Sequence, residues 1–357
     1  MGARWFAGKS FLMSTPFARA AALLCLLAAL LVPVRSAKAE LVWTPATGWQ
    51  IEGGALSGLV GSDARKALDQ MNKAREYEDA HNYAKAAKSY ERVGKRFGNS
   101  VFAPEAFYRA GRMRLERKQY YKAHEDFQQV VGRYPNYTRF NEIIGEQYRI
   151  ASALLDGARN RIWGIIPGFT NREKAVEYFE VLLLTAPYSD YAPLSLMNIA
   201  RAHQRMGNVE EAIDALDRMI NFYPQSLLTP DAYLKLAQAH ASLVEGPYYD
   251  QASTREAVTY FEDFMIIYPS DAGVSTAEKG LSDMKKVLAE SKMKIADFYF
   301  YKRDNYMAAR VFYNEAITVY PDSSVAGKAR EQLAKVEAAE AKAAAAGKKP
   351  RKKFLFF

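Results

Sequence analysis

Apolar side chains recur along this chain in steps of four, three and four, and most sets close on a proline. Tyr-Pro pairs stand at Tyr134-Pro135, Tyr223-Pro224, Tyr268-Pro269 and Tyr320-Pro321, with Ala186-Pro187 as a variant. Twelve residues before these prolines lie Ala123, Ala175, Ala212, Ala257 and Ala309; eight before lie Phe127, Phe179, Leu216, Phe261 and Tyr313. Five before lie Val130, Leu182, Met219, Phe264 and Ala316. A further set without the proline aligns on Gly98 and supplies Ala86, Tyr90, Val93 and Phe97. This spacing puts each set on one face of a helix. The alanine admits a close partner helix, the aromatic fills the space beyond it, and proline ends the helix for want of an N–H donor.

A partner helix precedes each set. It carries Phe107, Ala110, Gly111 and Arg114 in one copy, Leu196, Ile199, Ala200 and His203 in another, and Tyr233, Leu236, Ala237 and His240 in a third. Gly111 and Ala200 fall twelve residues before their matching alanines, which is the tetratricopeptide-repeat spacing. The pattern predicts an all-α solenoid of about six helical hairpins over 64–335. An extended arm (40–63) precedes it, and an Ala-rich helix end with a basic-aromatic tail (336–357) follows. The prolines are 52, 37, 45 and 52 residues apart, so three copies carry insertions into a unit of about 34 residues. The first, 157–173, holds Ile162, Trp163, Ile165, Ile166 and Phe169 and is expected either to plug the groove or to meet a partner. The second, 244–254, reads as a polar-aromatic loop, and the third lengthens the helical region from about Ala277 to Tyr301.

The formal charge of +9 would suggest nucleic acid, but it sits at the two ends. Residues 1–39 hold five basic residues and no acid, and 340–357 hold six basic residues and one acid, leaving the body near neutral. The apolar run Ala20–Val34 follows Arg19 and precedes Ala37-Lys38-Ala39, so 1–39 is expected to be a cleaved signal peptide, the alternative being an uncleaved N-terminal anchor, with Met13 an alternative start to Met1. The protein is then periplasmic. Cys25, the single cysteine, has leucines on both sides, unlike a lipid-attachment site, and allows no intrachain disulfide.

Enzyme chemistry finds no foothold. His81, His124, His203 and His240 fall in separate repeats without ligand spacing. No nucleophile elbow, zinc helix or dinucleotide glycine fingerprint occurs. The stretch Gly2 to Ser10 imitates a phosphate loop with the wrong spacing. Carboxylate pairs such as Glu210-Glu211 and Glu262-Asp263 fit solvated faces. His203 and His240 occupy a packing position and read as satisfied core imidazoles. No cofactor or metal is expected.

A solenoid offers a groove instead. By register, Arg75, Arg112 and Arg201 follow the packing Ala or Gly of their helices. With Tyr108 and Met197 they make a client-binding groove able to clamp a peptide carboxylate, the plainer alternative being ordinary solvated arginines. In the tail, Lys348, Lys349, Arg351, Lys352 and Lys353 precede Phe354, Phe356 and Phe357, a composition that suits an anionic membrane surface or a disordered solubilising tail equally.

From Arg255 the chain reads REAVTYFEDFMIIYPSD, then a long helix, then KIADFYFYKRDNYMAARVFYNEAITVYPDSSVAGKA. This resembles the C-terminal repeats of the BamD family of outer-membrane protein assembly factors, well over Tyr191–Ala329 and more loosely back to Ala64. The resemblance implies a scaffold on the inner face of the outer membrane. It would bind the C-terminal segments of unfolded outer-membrane proteins and dock on a BamA-type barrel insertase and other subunits of the assembly machine. It also implies an insertase interface on the last hairpin, at Tyr306, Arg310, Tyr313 and Asn314. The alternative is a periplasmic tetratricopeptide adaptor for envelope or division machinery, of the Tol–Pal coordinator type, which shares the Tyr-Pro repeat but generally lacks the long helix.

Overall fold

The computed structural model describes residues 40–52 and 62–345. The expected signal peptide, Cys25 and the tail from Lys348 to Phe357 lie outside the described residues. Six antiparallel helical hairpins follow one another: α1 (Ser62–Asp79) with α2 (Tyr83–Arg96), α3 (Phe102–Glu116) with α4 (Tyr120–Arg133), and α5 (Phe140–Leu155) with α6 (Arg172–Thr185). Then come α7 (Tyr191–Met206) with α8 (Val209–Phe222), α9 (Thr229–Ser242) with α10 (Ala252–Ile267), and α11 (Val274–Asp297) with α12 (Tyr306–Val319). A last helix, α13 (Ser324–Ala345), packs on α11 and α12. Each helix packs on its neighbour in sequence, and the first helices α1 and α3, α5 and α7, and α9 and α11 also touch, so this is a tetratricopeptide solenoid.

The repeating set of apolar residues is the core. Ala86, Ala123, Ala175, Ala212, Ala257 and Ala309 are all fully buried, as are the aromatics Tyr90, Phe127, Phe179 and Tyr313 beyond them. Each of those rings contributes about 2–3 kcal/mol by leaving water. The close approach is literal: a methyl at Gly111 would sit 2.6 Å from the Phe127 ring, and one at Gly280 only 2.3 Å from Phe261. Asparagines start three of the second helices, accepting from backbone N–H groups at the first turn: Asn82 from Lys85, Asn171 from Lys174 and Asn305 from Ala308.

The tyrosine of the Tyr-Pro pair adds a tie between repeats to the helix stop that proline supplies. Tyr134 Oη donates to the Gly98 carbonyl at 2.5 Å, and Tyr223 Oη donates to the Pro187 carbonyl at 2.7 Å. Each hydroxyl thus ties the end of one repeat to the turn that ends the repeat before it. At the last pair, Tyr320 Oη meets Ser282 Oγ at 2.8 Å.

Buried charge bridges the second and first repeats. Arg114, at the position filled by His203 and His240 elsewhere, reaches Asp126 at 2.6 Å and also bonds Glu91. Burial pushes the Asp126 carboxyl up to about 7 against the pull of that guanidinium. His124 on the same helix stacks on Tyr178, ring centroids 3.6 Å apart, and burial with nearby Lys174 holds it down at about 4. His240 is half-buried against Tyr260, and His203 is half-buried with Nδ1 unpartnered among the described residues, so neither is the fully satisfied core imidazole expected.

Three segments differ from the expected layout. Within 40–63, residues Glu40–Thr44 (β1) and Gly48–Glu52 (β2) form an antiparallel hairpin with Trp43 opposite Trp49, rather than a single extended arm. Inside the first insertion, Arg161–Ile162 (β3) pairs with Ile166–Pro167 (β4). The boundary expected at 335 falls within α13, whose Val336 is fully buried in the last cluster. The third insertion is as expected: α11 has 24 residues and runs on into a π-turn at Phe298–Lys302.

Candidate interaction surfaces

The groove arginines are each held within the chain. Arg75 pairs with Glu78 at 3.0 Å and Asp79 at 2.9 Å, and the Trp43 ring lies over its guanidinium at 4.0 Å. Arg109, which the register did not single out, pairs with Glu105 at 2.6 Å and Glu78 at 3.1 Å beneath the Trp49 ring. The first hairpin therefore covers this end of the array. Arg112 bonds Tyr108 Oη at 3.0 Å and Glu142 at 3.4 Å. Tyr108 is buried and donates to Glu142; burial first, then that carboxylate, raises its pKa. Arg201 pairs with Asp156 at 3.4 Å, and Met197 is half-buried against the central core. A clamp needs unpaired guanidiniums, and here carboxylates of the same chain fill that role.

An apolar cleft lies one repeat further on, between the turns that follow α6 and α8. It encloses about 970 Å³ and is lined by Leu184, Tyr188, Leu194, Phe222 and Leu227 among others. Tyr188 and Leu227 stand almost fully in solvent, at 99% and 98% exposure. A bidentate pair, Arg218 to Glu180 at 2.8 and 2.9 Å, also lines it and ties α8 to α6. This is a non-local feature: its walls are the proline-ended turns of two repeats, so no single motif announces it.

The last hairpin presents a second surface. Met307, Val311, Asn314 and Thr318 recur in steps of four, three and four along α12 and are all exposed. They lie opposite Ala309, Tyr313 and Ala316, which are buried. Arg310 sits at the edge of this stripe, paired with Glu340 of α13 at 2.9 Å, and Tyr306 is half-buried. Tyr313 is 0% exposed and donates to Asp297 at 2.6 Å. It is a core residue, and the patch expected at Tyr306, Arg310, Tyr313 and Asn314 loses it as a contact. Its place is taken by Val311 and Met307.

The loop around Trp163 plugs no groove. Its polar backbone is fastened to the α3–α4 turn, and its large side chains face solvent. Among the described residues no group of three or more His, Cys, Asp or Glu is placed to hold a metal ion, and no helix is long and apolar enough to cross a membrane.

Residues 170–353, just over half of the chain, match the family described as outer membrane lipoprotein (YfiO), and residues 105–137 match a tetratricopeptide repeat. A stretch of 100 residues is 29% identical to the outer membrane protein assembly factor BamD of Caulobacter vibrioides, covering 28% of this chain and 33% of that protein. The match thus spans about a third of the curated relative. Among solved structures, a tetratricopeptide repeat protein from Parabacteroides merdae is 11% identical, covering 78% of this chain and 100% of that one at a TM-score of 0.30. A repeat protein from Bacteroides fragilis is 13% identical, covering 76% and 98% respectively at a TM-score of 0.34.

Proposed function

The chain belongs to the outer membrane lipoprotein (YfiO) family, and from that premise we propose a non-enzymatic scaffold of outer-membrane protein assembly, located in the periplasm against the outer membrane. It docks a BamA-type barrel insertase on the α12 stripe and takes apolar client segments in the cleft between the turns after α6 and α8. The observation that carries this reading is the span of the family match, 170–353, which contains both surfaces. The assembly role named for the Caulobacter relative points the same way.

The chemistry fits those roles. Met307 and Val311 offer a small apolar centre with Arg310, Asn314 and Thr318 around it, the apolar-core and polar-rim arrangement of a protein interface. The cleft offers leucine and aromatic walls, with charge from the Arg218–Glu180 pair and from Asp190, which suits a largely apolar chain end. Client contact moves there from the arginine groove because Arg75, Arg112 and Arg201 are already paired.

Affinity capture of the tagged protein from mildly solubilised envelopes tests the reading. A barrel insertase is recovered, and Met307→Ala with Arg310→Ala and Val311→Ala abolishes its recovery while leaving the fold intact. Leu184→Asp with Leu227→Asp leaves insertase recovery unchanged but weakens retention of a synthetic C-terminal peptide of an outer-membrane barrel. Recovery of peptidoglycan-linked or division proteins without a barrel insertase would replace this reading with the adaptor.

A further inference from the structure

The β3–β4 hairpin is rigidly mounted and apolar. Arg161 N–H donates to the Lys118 carbonyl and Gly168 N–H to the Asn160 carbonyl, both at 2.9 Å. Asn160 Oδ1 accepts from Tyr121 N–H at 3.1 Å, supplying the cap that Gln119 does not give α4. The Arg117 guanidinium bonds the Trp163 carbonyl from below. It lies so close under the turn that a methyl at Gly164 would meet it at 2.7 Å, and Trp163 and Gly164 both take positive φ, +55° and +78°. A segment held this firmly has a fixed presentation, and what it presents is Ile162, Trp163, Ile165, Ile166 and, beside the base, Phe169. Trp163 is 71% exposed and Phe169 is 93% exposed.

The charges around it are mostly positive. Lys118, Arg159, Arg161 and Arg172 are exposed, and among the described residues none has a carboxylate within salt-bridge distance. Four arginines elsewhere in the array, Arg75, Arg109, Arg114 and Arg218, do pair with carboxylates. Glu173 is the sole acid in 157–173. Indole, phenyl and branched aliphatic groups ringed by unpaired cations match the headgroup layer of an anionic bilayer, where the cations meet phosphate and the apolar groups leave water.

We propose that the Arg161–Pro167 hairpin, with Phe169 beside it, is a membrane-surface anchor that inserts its apolar side chains into the headgroup layer of an anionic bilayer. The contact is interfacial: a two-residue strand pair reaches no further than the headgroups. It fixes the third repeat at the surface and goes beyond the assembly role, since it calls for lipid and no protein partner.

The test uses the full chain with Cys25→Ser and Ile165→Cys, labelled at 165 with an environment-sensitive fluorophore, and vesicles of phosphatidylethanolamine with phosphatidylglycerol. The label's emission shifts to the blue on adding these vesicles, and far less with phosphatidylcholine alone. Arg159→Gln, Arg161→Gln and Arg172→Gln together raise the lipid needed for half the shift by about tenfold or more. Circular dichroism checks that these exposed changes leave the helices in place. Binding of the protein to vesicles with no change at the label would overturn the proposal, since contact then lies elsewhere. A shift without lipid that grows with protein concentration would overturn it in favour of a second copy, and one needing envelope protein would do so in favour of a protein partner. Equal shifts on neutral and anionic vesicles would remove the charge complementarity on which it rests.

Discussion

Among the described residues two short β-hairpins accompany the helical array, one before it and one within it, and both set tryptophan beside arginine. In the first, Trp49 is 3% exposed, its backbone N–H bonds Asn72 Oδ1 at 2.8 Å, and its ring covers Arg109. In the second, Trp163 stands in solvent although Arg117 bonds its carbonyl. The difference lies in the floor. Beneath the first hairpin, Glu78 and Glu105 neutralise Arg75 and Arg109, and Met71 and Ala74 supply an apolar bed. A tryptophan face over a neutralised guanidinium gains both cation–π attraction and apolar burial. Beneath the second lies Arg117 with no carboxylate paired to it among the described residues, and the hairpin is secured by backbone groups, Arg117 and Asn160 while its large side chains stay outside. Composition alone does not separate a lid from an exposed knuckle; the partner carboxylates do.

The contrast breaks most visibly at Trp49. Trp49→Ala is expected to cost about 3–5 kcal/mol in the first repeats and to free residues 41–51, read as faster amide exchange there and a lower thermal midpoint.

A second prediction concerns the floor of the exposed hairpin. His124 stacks on Tyr178, next to Tyr121, whose N–H holds Asn160. Its folded pKa of about 4 lies below the ordinary 6.5, so its contribution is complete above about 6.5 and is lost as pH falls toward 4. That amounts to about 3 kcal/mol. Asp126, raised to about 7, works the other way over the same range. His124→Phe is therefore judged as a difference from the parent: the stability gap shifts in the variant's favour between pH 6.5 and 4 in urea titrations.

Asn160→Ala removes the borrowed cap of α4 and one fastening of the hairpin base. The expected loss is about 1 kcal/mol, with increased protease sensitivity confined to 157–170. Smallest of all, Trp163→Ser changes the thermal midpoint by no more than about 0.5 kcal/mol equivalent. A loss as large as that at Trp49 would mean that the second tryptophan is also a lid.

The register of the solenoid was readable because six copies bury the same positions, and each repeat packs mainly on its neighbours. The same periodicity contained the answer for the last hairpin: eight residues before Pro321 is a packing position, so Tyr313 belongs to the core and the stripe opposite begins at Met307. What remained hidden is non-local. The pairing of Arg201 with Asp156 and of Arg112 with Glu142 joins helices 45 and 30 residues apart in sequence, and the Tyr223 bond to Pro187 depends on the rotation between repeats. The β1–β2 hairpin left no helical period to read, and its docking depends on carboxylates far along the chain.

The most direct measurement is photo-crosslinking in living cells, with a photoreactive residue in place of Val311 on the exposed face of α12. The assembly-scaffold account predicts a single dominant adduct with a barrel insertase of the outer membrane, lost when Met307 and Arg310 are replaced by alanine. An adduct with a division or peptidoglycan-linked protein, or none with any barrel, would contradict it.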